Sequence, residues 1–274
     1  MTSKAAGLRL ALIGASGRMG VALTRAIAKW PDLRITGAVT TPRDPNLGRD
    51  IGEVTGGAKL GVPLTTDLKQ VLAGCDVALE FTRGTATVAN LVACREARKP
   101  VLVGTSGLPV DIEEHYATAA RDIPVLVATN ASIGATLLFE FLRASTAKVP
   151  RDFDVEIIEA HDRWKEDAPS GTAHALGRLI AQIRGQNFKD VAVMGSRAGQ
   201  RPEGAIGYAV IRAGDTTDEH TVMFIGQGEL LQITHRASDY GIFVRGTFEA
   251  ARWLAAKPPG VYRMRDVLAM GEST

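Results

Sequence analysis

At about 150 residues per domain, 274 residues divide into roughly two domains. Lysine plus arginine number 32 against 30 aspartate plus glutamate, a net charge of +2, which excludes the clustered basic excess of an electrostatic nucleic-acid binder. A hydrophobic content of 45% and a charged content of 23% exclude a disordered chain.

Residues 8–13 form a short apolar run that ends directly on glycines, the pattern of a buried strand. Residues 21–30 have helical spacing and stop before Pro31; residues 33–39 read as a second strand. Residues 41–63, rich in proline, glycine and charge, read as a long loop. Strands at 76–81, 100–103 and 124–128 then alternate with helices at 85–98 and 109–121. Strands alternating with helices predict an α/β fold with a parallel sheet covered on both faces. Near residue 131 the pattern changes. A long amphipathic helix over 133–148 leads to a strand at 153–160 and a helix at 170–184. Strands at 208–212, 219–225 and 230–236 follow on short connections, with Gly226-Gln227-Gly228 as a hairpin turn. Adjacent strands predict a mixed sheet, hence an α+β region. A helix over 246–256 closes the chain before Pro258-Pro259-Gly260.

Cys75 and Cys94 are too few for a disulfide framework and read as buried apolar residues. The longest apolar runs fall short of the roughly 18 residues that span a bilayer. Residues 1–7 carry one lysine and no apolar core, so no export signal is expected and a cytoplasmic setting is.

Two stretches carry chemistry. Gly14-Ala15-Ser16-Gly17-Arg18-Met19-Gly20 follows the first strand and opens the first helix. Glycines let a ligand approach the backbone, and a helix N-terminus offers unpaired N–H groups and a positive dipole end, so a dinucleotide pyrophosphate is the expected ligand. Arg18 is placed to reach a phosphate. The second strand ends at Thr40 and Thr41, then Pro42 and Arg43, with no carboxylate before Asp44. Arg43 pairing a ribose 2′-phosphate makes NADPH the preferred cofactor, with NADH possible. The other stretch runs from Glu159 to Ala173. His161 ends an apolar strand and is a candidate for proton transfer. Arg163 and Lys165 make a cationic loop, and Ser170, Gly171 and Thr172 open a helix with Ser170 as the expected N-cap. A cationic loop beside a helix N-terminus suits a carboxylate. No second histidine or cysteine stands at ligand spacing there, so no metal is expected. His220 and His235 read as structural.

These stretches, together with Glu80-Phe81-Thr82, Gly104-Thr105-Ser106-Gly107, Arg212-Ala213-Gly214-Asp215, Glu219-His220-Thr221, the segment 233–238 and the ending 262–268, resemble the bacterial dihydrodipicolinate reductase family over nearly the whole chain. The resemblance implies a Rossmann-like N-terminal domain (1–131) and a central α+β mixed-sheet substrate domain (132–241) that builds a homotetramer. A closing helix and tail (242–274) would return to the cofactor domain. It implies reduction of 4-hydroxy-tetrahydrodipicolinate, a small cyclic dicarboxylate, to tetrahydrodipicolinate in diaminopimelate and lysine biosynthesis. Hydride would come from NAD(P)H and the proton from His161. Lys165 would hold one carboxylate and stabilise developing charge. Ser170, Gly171 and Thr172 would bind the other. Ser106, with Gly104 and Thr105, would sit near the nicotinamide and substrate. Phe81, Thr82, Ala128 and Asn130 would line the cofactor cleft. The chain departs from the family's usual His-His-Arg-His-Lys at Asp162 and Trp164. Other departures are Glu80 for aspartate, Ser106 for threonine and Ala131 for phenylalanine. Asp162, at a position that commonly touches a substrate carboxylate, repels an anion when ionised. That departure keeps open a related reductase of another cyclic imine or conjugated carboxylate.

Overall fold

The computed structural model describes residues 7–195 and 198–269. Most of the opening segment read as lacking an export signal, and residues 270–274 of the tail, lie outside the described residues. The chain divides into two compact units, one taking Met1–Ser132 with Gly241–Met270 and the other centred on Ile133–Tyr240.

In chain order the first unit runs β1 (Leu8–Ile13), α1 (Arg18–Ala26), β2 (Leu33–Val39), α2 (Ile51–Val54), β3 (Leu64–Thr65), α3 (Leu68–Ala73), β4 (Val77–Glu80), α4 (Gly84–Glu96), β5 (Val101–Val103), α5 (Ile112–Ala119) and β6 (Pro124–Val127). The second unit holds α6 (Ile133–Ser145), β7 (Asp154–His161), α7 (Gly171–Ile183), α8 (Phe188–Val191), β8 (Ala192–Met194), β9 (Ile206–Arg212), β10 (Asp218–Gly226) and β11 (Glu229–Ala237). The chain then re-enters the first unit as α9 (Gly241–Leu254), β12 (Gly260–Arg263) and α10 (Met264–Val267).

The first sheet has the order β12-β6-β5-β4-β1-β2-β3, with every pairing parallel. Alternation along its strands feeds two cores. Leu10 and Leu12 of β1 join Leu79, Leu102 and Leu126 on one side, while Ala11 and Ile13 join Ala78, Val101, Val103 and Val125 on the other. Strands buried on both faces carry continuous apolar runs, which is why β1, β4 and β5 are legible in the sequence. Helix α9 seals the first core with Val244, Phe248, Ala251 and Leu254. It passes so near residue 131 that a Cβ on Gly246 would lie 1.7 Å from the Ala131 carbonyl oxygen. The chain order reverses between β1 and β4: β2 and β3 lie to one side, β5 and β6 to the other. In open α/β sheets such a reversal leaves a crevice at the strands' C-terminal ends. Cys75 and Cys94 are buried, as expected of apolar residues, and burial pushes the Cys75 thiol up to about 11.

The second sheet has the order β11-β10-β7-β9-β8 and is mixed. β10 pairs antiparallel with β11 and β7, whereas β9 pairs parallel with β7 and β8. Leu138 and Leu142 of α6 and Leu176, Leu179 and Ile180 of α7 pack on one face of this sheet against Val155, Ile157, Val222 and Phe224.

Several elements differ from the sequence expectation. Helix α1 begins at Arg18 and gives way to a 3₁₀ turn over Ile27–Lys29. The expected loop over 41–63 contains α2, whose single turn is organised by buried Asp50. The Asp50 carboxylate accepts from the N–H groups of Gly52, Glu53, Leu60 and Val62. Helix α9 starts five residues before the expected 246. Gly226 belongs to β10, where a Cβ would meet the Phe153 ring, so Gln227 and Gly228 alone make the turn, with Gly228 at φ +84°.

Candidate functional site

The glycine loop joins β1 to α1. Gly14 has φ +88°, and a Cβ there would lie 2.3 Å from the Phe81 carbonyl oxygen at the end of β4. A Cβ on Gly20 would lie 2.3 Å from the Ala15 carbonyl oxygen. Two of the three glycines are thus required by the loop's own packing. Ser16, Gly17 and Arg18 are exposed, the first turn of α1 carries no acidic residue, and Gly17 as N-cap supplies no side-chain bond. The first-turn N–H groups precede the helix's own acceptors, so this end fits a pyrophosphate. Gly20→Ala should lower the melting temperature and weaken dinucleotide binding together. Thermal melts with and without the nucleotide check this, and unchanged values for both would contradict it.

The remaining cofactor candidates are placed unevenly. Ala15 is fully buried and its N–H donates to the Val39 carbonyl at 2.9 Å, so it shapes the loop. Met19 packs its side chain against the first core, which leaves its backbone as the contact. Ser16 and Thr40 hydroxyls meet at 2.7 Å, and Thr40 donates to Asp44 at 2.6 Å. Bonds from Ser16, Thr40 and the Asn46 N–H hold the Asp44 carboxyl below its usual range. Arg43 is exposed at the same strand end. Glu80, with 0% exposure, is a hub below the crevice: it accepts from Thr82, from Thr105 at 2.6 Å and from Asn90 at 3.2 Å. Thr105 also accepts from the Thr82 N–H at 2.8 Å. The Thr105 hydroxyl thereby ties the end of β4 to the loop after β5. A Cβ on Gly104 would sit 2.0 Å from the Phe81 ring, so glycine there lets that ring lie flat over the strand end. Ala128 is buried, Asn130 accepts from the Ser132 N–H at 2.9 Å, and Ser106 is exposed.

In the second unit, β7 alternates so that Val155, Ile157, Glu159 and His161 share its buried face. The apolar end builds the core and the polar end builds the site. Glu159 has no exposure and is held by several donors. The Ser170 N–H donates to both of its oxygens at 3.0 Å, and Arg212 donates at 2.7 Å. Burial alone would raise this carboxyl, but bonds from His220, Ser170 and Arg212 outweigh it and bring it down to about 2. His161, 7% exposed, lies with Nε2 3.2 Å from Asp218 and Nδ1 3.6 Å from Glu159. His220 lies 2.9 Å from Asp218 through Nδ1, and its ring meets that of His161 edge to face at 5.2 Å. Burial lowers the His220 pKa, but Asp218 and Glu159 raise it more, and the net direction is upward.

Ser170 caps α7 as expected, accepting from the Ala173 N–H at 3.1 Å. Its Oγ also lies 3.0 Å from His220 Nε2 and the residue is buried. The Ser170 hydroxyl therefore serves the helix and His220 in this structure. Gly171 is exposed and Thr172 half-buried at the start of α7. Lys165 pairs with Asp167 at 2.7 Å. Asp162 accepts from the Trp164 N–H at 2.8 Å, so it closes the loop's turn, and Trp164 is 72% exposed.

Sequence reasoning missed Asp218 and read His220 as structural. The ground for expecting no metal also changes, because the fold brings further histidines to His161. Ligand-type atoms of Glu159, His161 and His220, and of Asp218, His220 and His235, lie within 4.8 Å of one another. Here the carboxylates and imidazoles of the first four face one another as acid–base pairs, and we assign no metal to them.

Both halves of the chain match one family. Residues 8–131 match dihydrodipicolinate reductase, N-terminus, and residues 134–268 match dihydrodipicolinate reductase, C-terminus. The chain belongs to the dihydrodipicolinate reductase family. The 4-hydroxy-tetrahydrodipicolinate reductase of Nitrosomonas eutropha is 41% identical over 265 residues, covering 96% of this chain and 98% of the relative. That of Hahella chejuensis is 42% identical over 264 residues, covering 96% and 99%. Among solved structures, dipicolinate-bound dihydrodipicolinate reductase from Paenisporosarcina sp. TG-14 superposes with a TM-score of 0.74 at 21% identity, over 94% of this chain and 97% of that one. Family membership makes the protein a nicotinamide-dependent reductase of a small molecule. No helix among the described residues is long and apolar enough to cross a membrane.

Proposed function

We propose that the protein reduces 4-hydroxy-tetrahydrodipicolinate to tetrahydrodipicolinate, the 4-hydroxyl leaving as water and His161 serving as the proton source. The observation that carries this reading is the pairing of His161 with two buried carboxylates, Glu159 and Asp218, at the end of the strand that leads into a cationic loop and a helix N-terminus. The nicotinamide supplies hydride when bound. The chain's own residues do the rest. The α1 N-terminus and Arg18 neutralise the pyrophosphate. Lys165 exchanges Asp167 for a substrate carboxylate, and the N–H groups of Gly171 and Thr172 take the second. Asp162, bound into its own turn, leaves those positions to the substrate. Val210, Ile211, Leu230 and Leu231 are exposed on the second sheet and support a homotetramer built through it.

NADPH is the preferred donor in this reading because Arg43 stands exposed where β2 ends. Asp44, tied to Ser16 and Thr40 beside it, favours some use of NADH through the ribose hydroxyls. Arg43→Ala should cut kcat/KM with NADPH about tenfold, as loss of one charge-assisted pair does, and leave NADH little changed. Equal loss with both cofactors would remove Arg43 from 2′-phosphate recognition. For the reaction itself, NADPH deuterated at the transferring position should deliver deuterium to a ring carbon of the product. Oxidation of the cofactor without label in the ring would overturn the reading.

A further inference from the structure

Glu159 and His161 stand two residues apart on β7 and share a face; Asp218 and His220 do the same on β10. The antiparallel register sets His220 against Glu159 and Glu219 against Ala160, and one step further Asp218 meets His161. Each acid therefore faces a histidine both along its strand and across the pair. His161 Nε2 lies 3.2 Å and His220 Nδ1 2.9 Å from the same Asp218 oxygen, while Glu159 lies 3.6 Å from each ring. All four side chains are buried. Carboxylates removed from water are tolerated when paired. Glu159 has Arg212 of β9 and the Ser170 N–H at the start of α7 as additional partners. Asp218 has the two histidines. His235 of β11 also faces Asp218 and His220, and burial lowers its pKa.

We propose that Asp218 is a positioning residue for the reduction, its carboxylate fixing the His161 and His220 rings by charge, 3.2 Å from Nε2 of the first and 2.9 Å from Nδ1 of the second. The assignment rests on the reading of His161 as the proton source. An anion favours the proton on the ring nitrogen it faces, and Asp218 lies closer to His161 Nε2 than Glu159 lies to its Nδ1. Against the downward push of burial, the same carboxylate helps to raise the His220 pKa. Ser170 Oγ at His220 Nε2 extends the network to the first residues of the substrate-side helix.

The test is nitrogen-15 NMR of the histidine rings in the full chain, with His161 and His220 assigned by loss of signal in His161→Gln and His220→Gln. The wild-type protein should show His161 protonated at Nε2 in its neutral form. In Asp218→Asn the titration midpoint of His220 should fall by about one pH unit, and kcat by about tenfold with KM changed less than twofold. The basic limb of the kcat profile should move to lower pH, because the charge that favours a protonated imidazole is gone. Asp218→Glu should recover part of both effects. A wild-type His161 ring protonated at Nδ1, or a His220 midpoint and a kcat profile unmoved in Asp218→Asn, would overturn the proposal. The wild-type tautomer decides the matter even if the variants do not fold. The ring titrations do so even if the protein fails to turn over the expected substrate.

Discussion

His161→Ala should lower kcat by about a hundredfold or more and change KM only modestly, the signature of a group that acts in the transition state rather than in holding substrate. The expectation follows from placement. Glu159 and Asp218 bracket the ring, and neither carboxylate can donate a proton when ionised. Removing the imidazole leaves His220, but its ring is fully buried and bound to Ser170, so it cannot reach an open surface in its place. Initial rates over a range of substrate concentrations separate the two parameters. A kcat within a few-fold of the parent would remove His161 from the proton transfer. A large rise in KM with kcat intact would make it a binding residue.

The second large effect concerns stability. The folded Glu159 carboxyl lies at about 2 against an ordinary 4.5. A carboxyl lowered on folding stabilises the native state above its unfolded value, and that stability is lost as pH falls through the folded value. Glu159 therefore contributes about 3 kcal/mol at neutral pH, at roughly 1.4 kcal/mol per pKa unit, and loses it between pH 4.5 and about 2. Asp218 is also lowered and adds a loss of the same sign on the acid side. His220, raised on folding, has the opposite sign: its contribution is present at low pH and fades as pH rises through its folded value. Glu159→Gln should flatten the acid limb of stability against pH. Glu159→Ala should cost about 3–5 kcal/mol at neutral pH, because Arg212 and the two rings are left buried without their anion. Denaturant unfolding between pH 3 and 8 measures both. An acid limb unchanged in Glu159→Gln would contradict the assignment.

The legibility of the fold follows from how much of each element is written locally. β1, β4 and β5 are buried on nearly every residue, so their apolar runs stand out between glycines and helical spacing. β3 has two residues and α2 a single turn held by Asp50, and neither is long enough to show a period. β8 and β12 exist through pairing with β9 and β6, a tertiary fact. The site divides in the same way. His161, Lys165, Gly171 and Thr172 lie in one dense stretch of chemistry and could be read off it. The partners of His161 on β10 come from nearly sixty residues further on and are joined to it by strand register. A signal was present: an acid, one residue, then a histidine, at 159–161 and again at 218–220. Two such triplets on strands that pair antiparallel set acid against imidazole twice. Ala15, Thr105 and Ser170 add what spacing alone does not show. Beside the ligand contacts their motifs suggest, they bond within the protein to Val39, Glu80 and His220.

The central claim is that this chain reduces 4-hydroxy-tetrahydrodipicolinate with a nicotinamide donor. The most direct measurement is the rate of NADPH oxidation by the purified protein with freshly generated substrate, read from the absorbance of the reduced nicotinamide. Turnover in the ordinary enzymatic range of about 1–1,000 per second is expected, abolished when substrate is omitted. NADPH that binds, as a separate titration would show, yet is not oxidised in the presence of that substrate would contradict it.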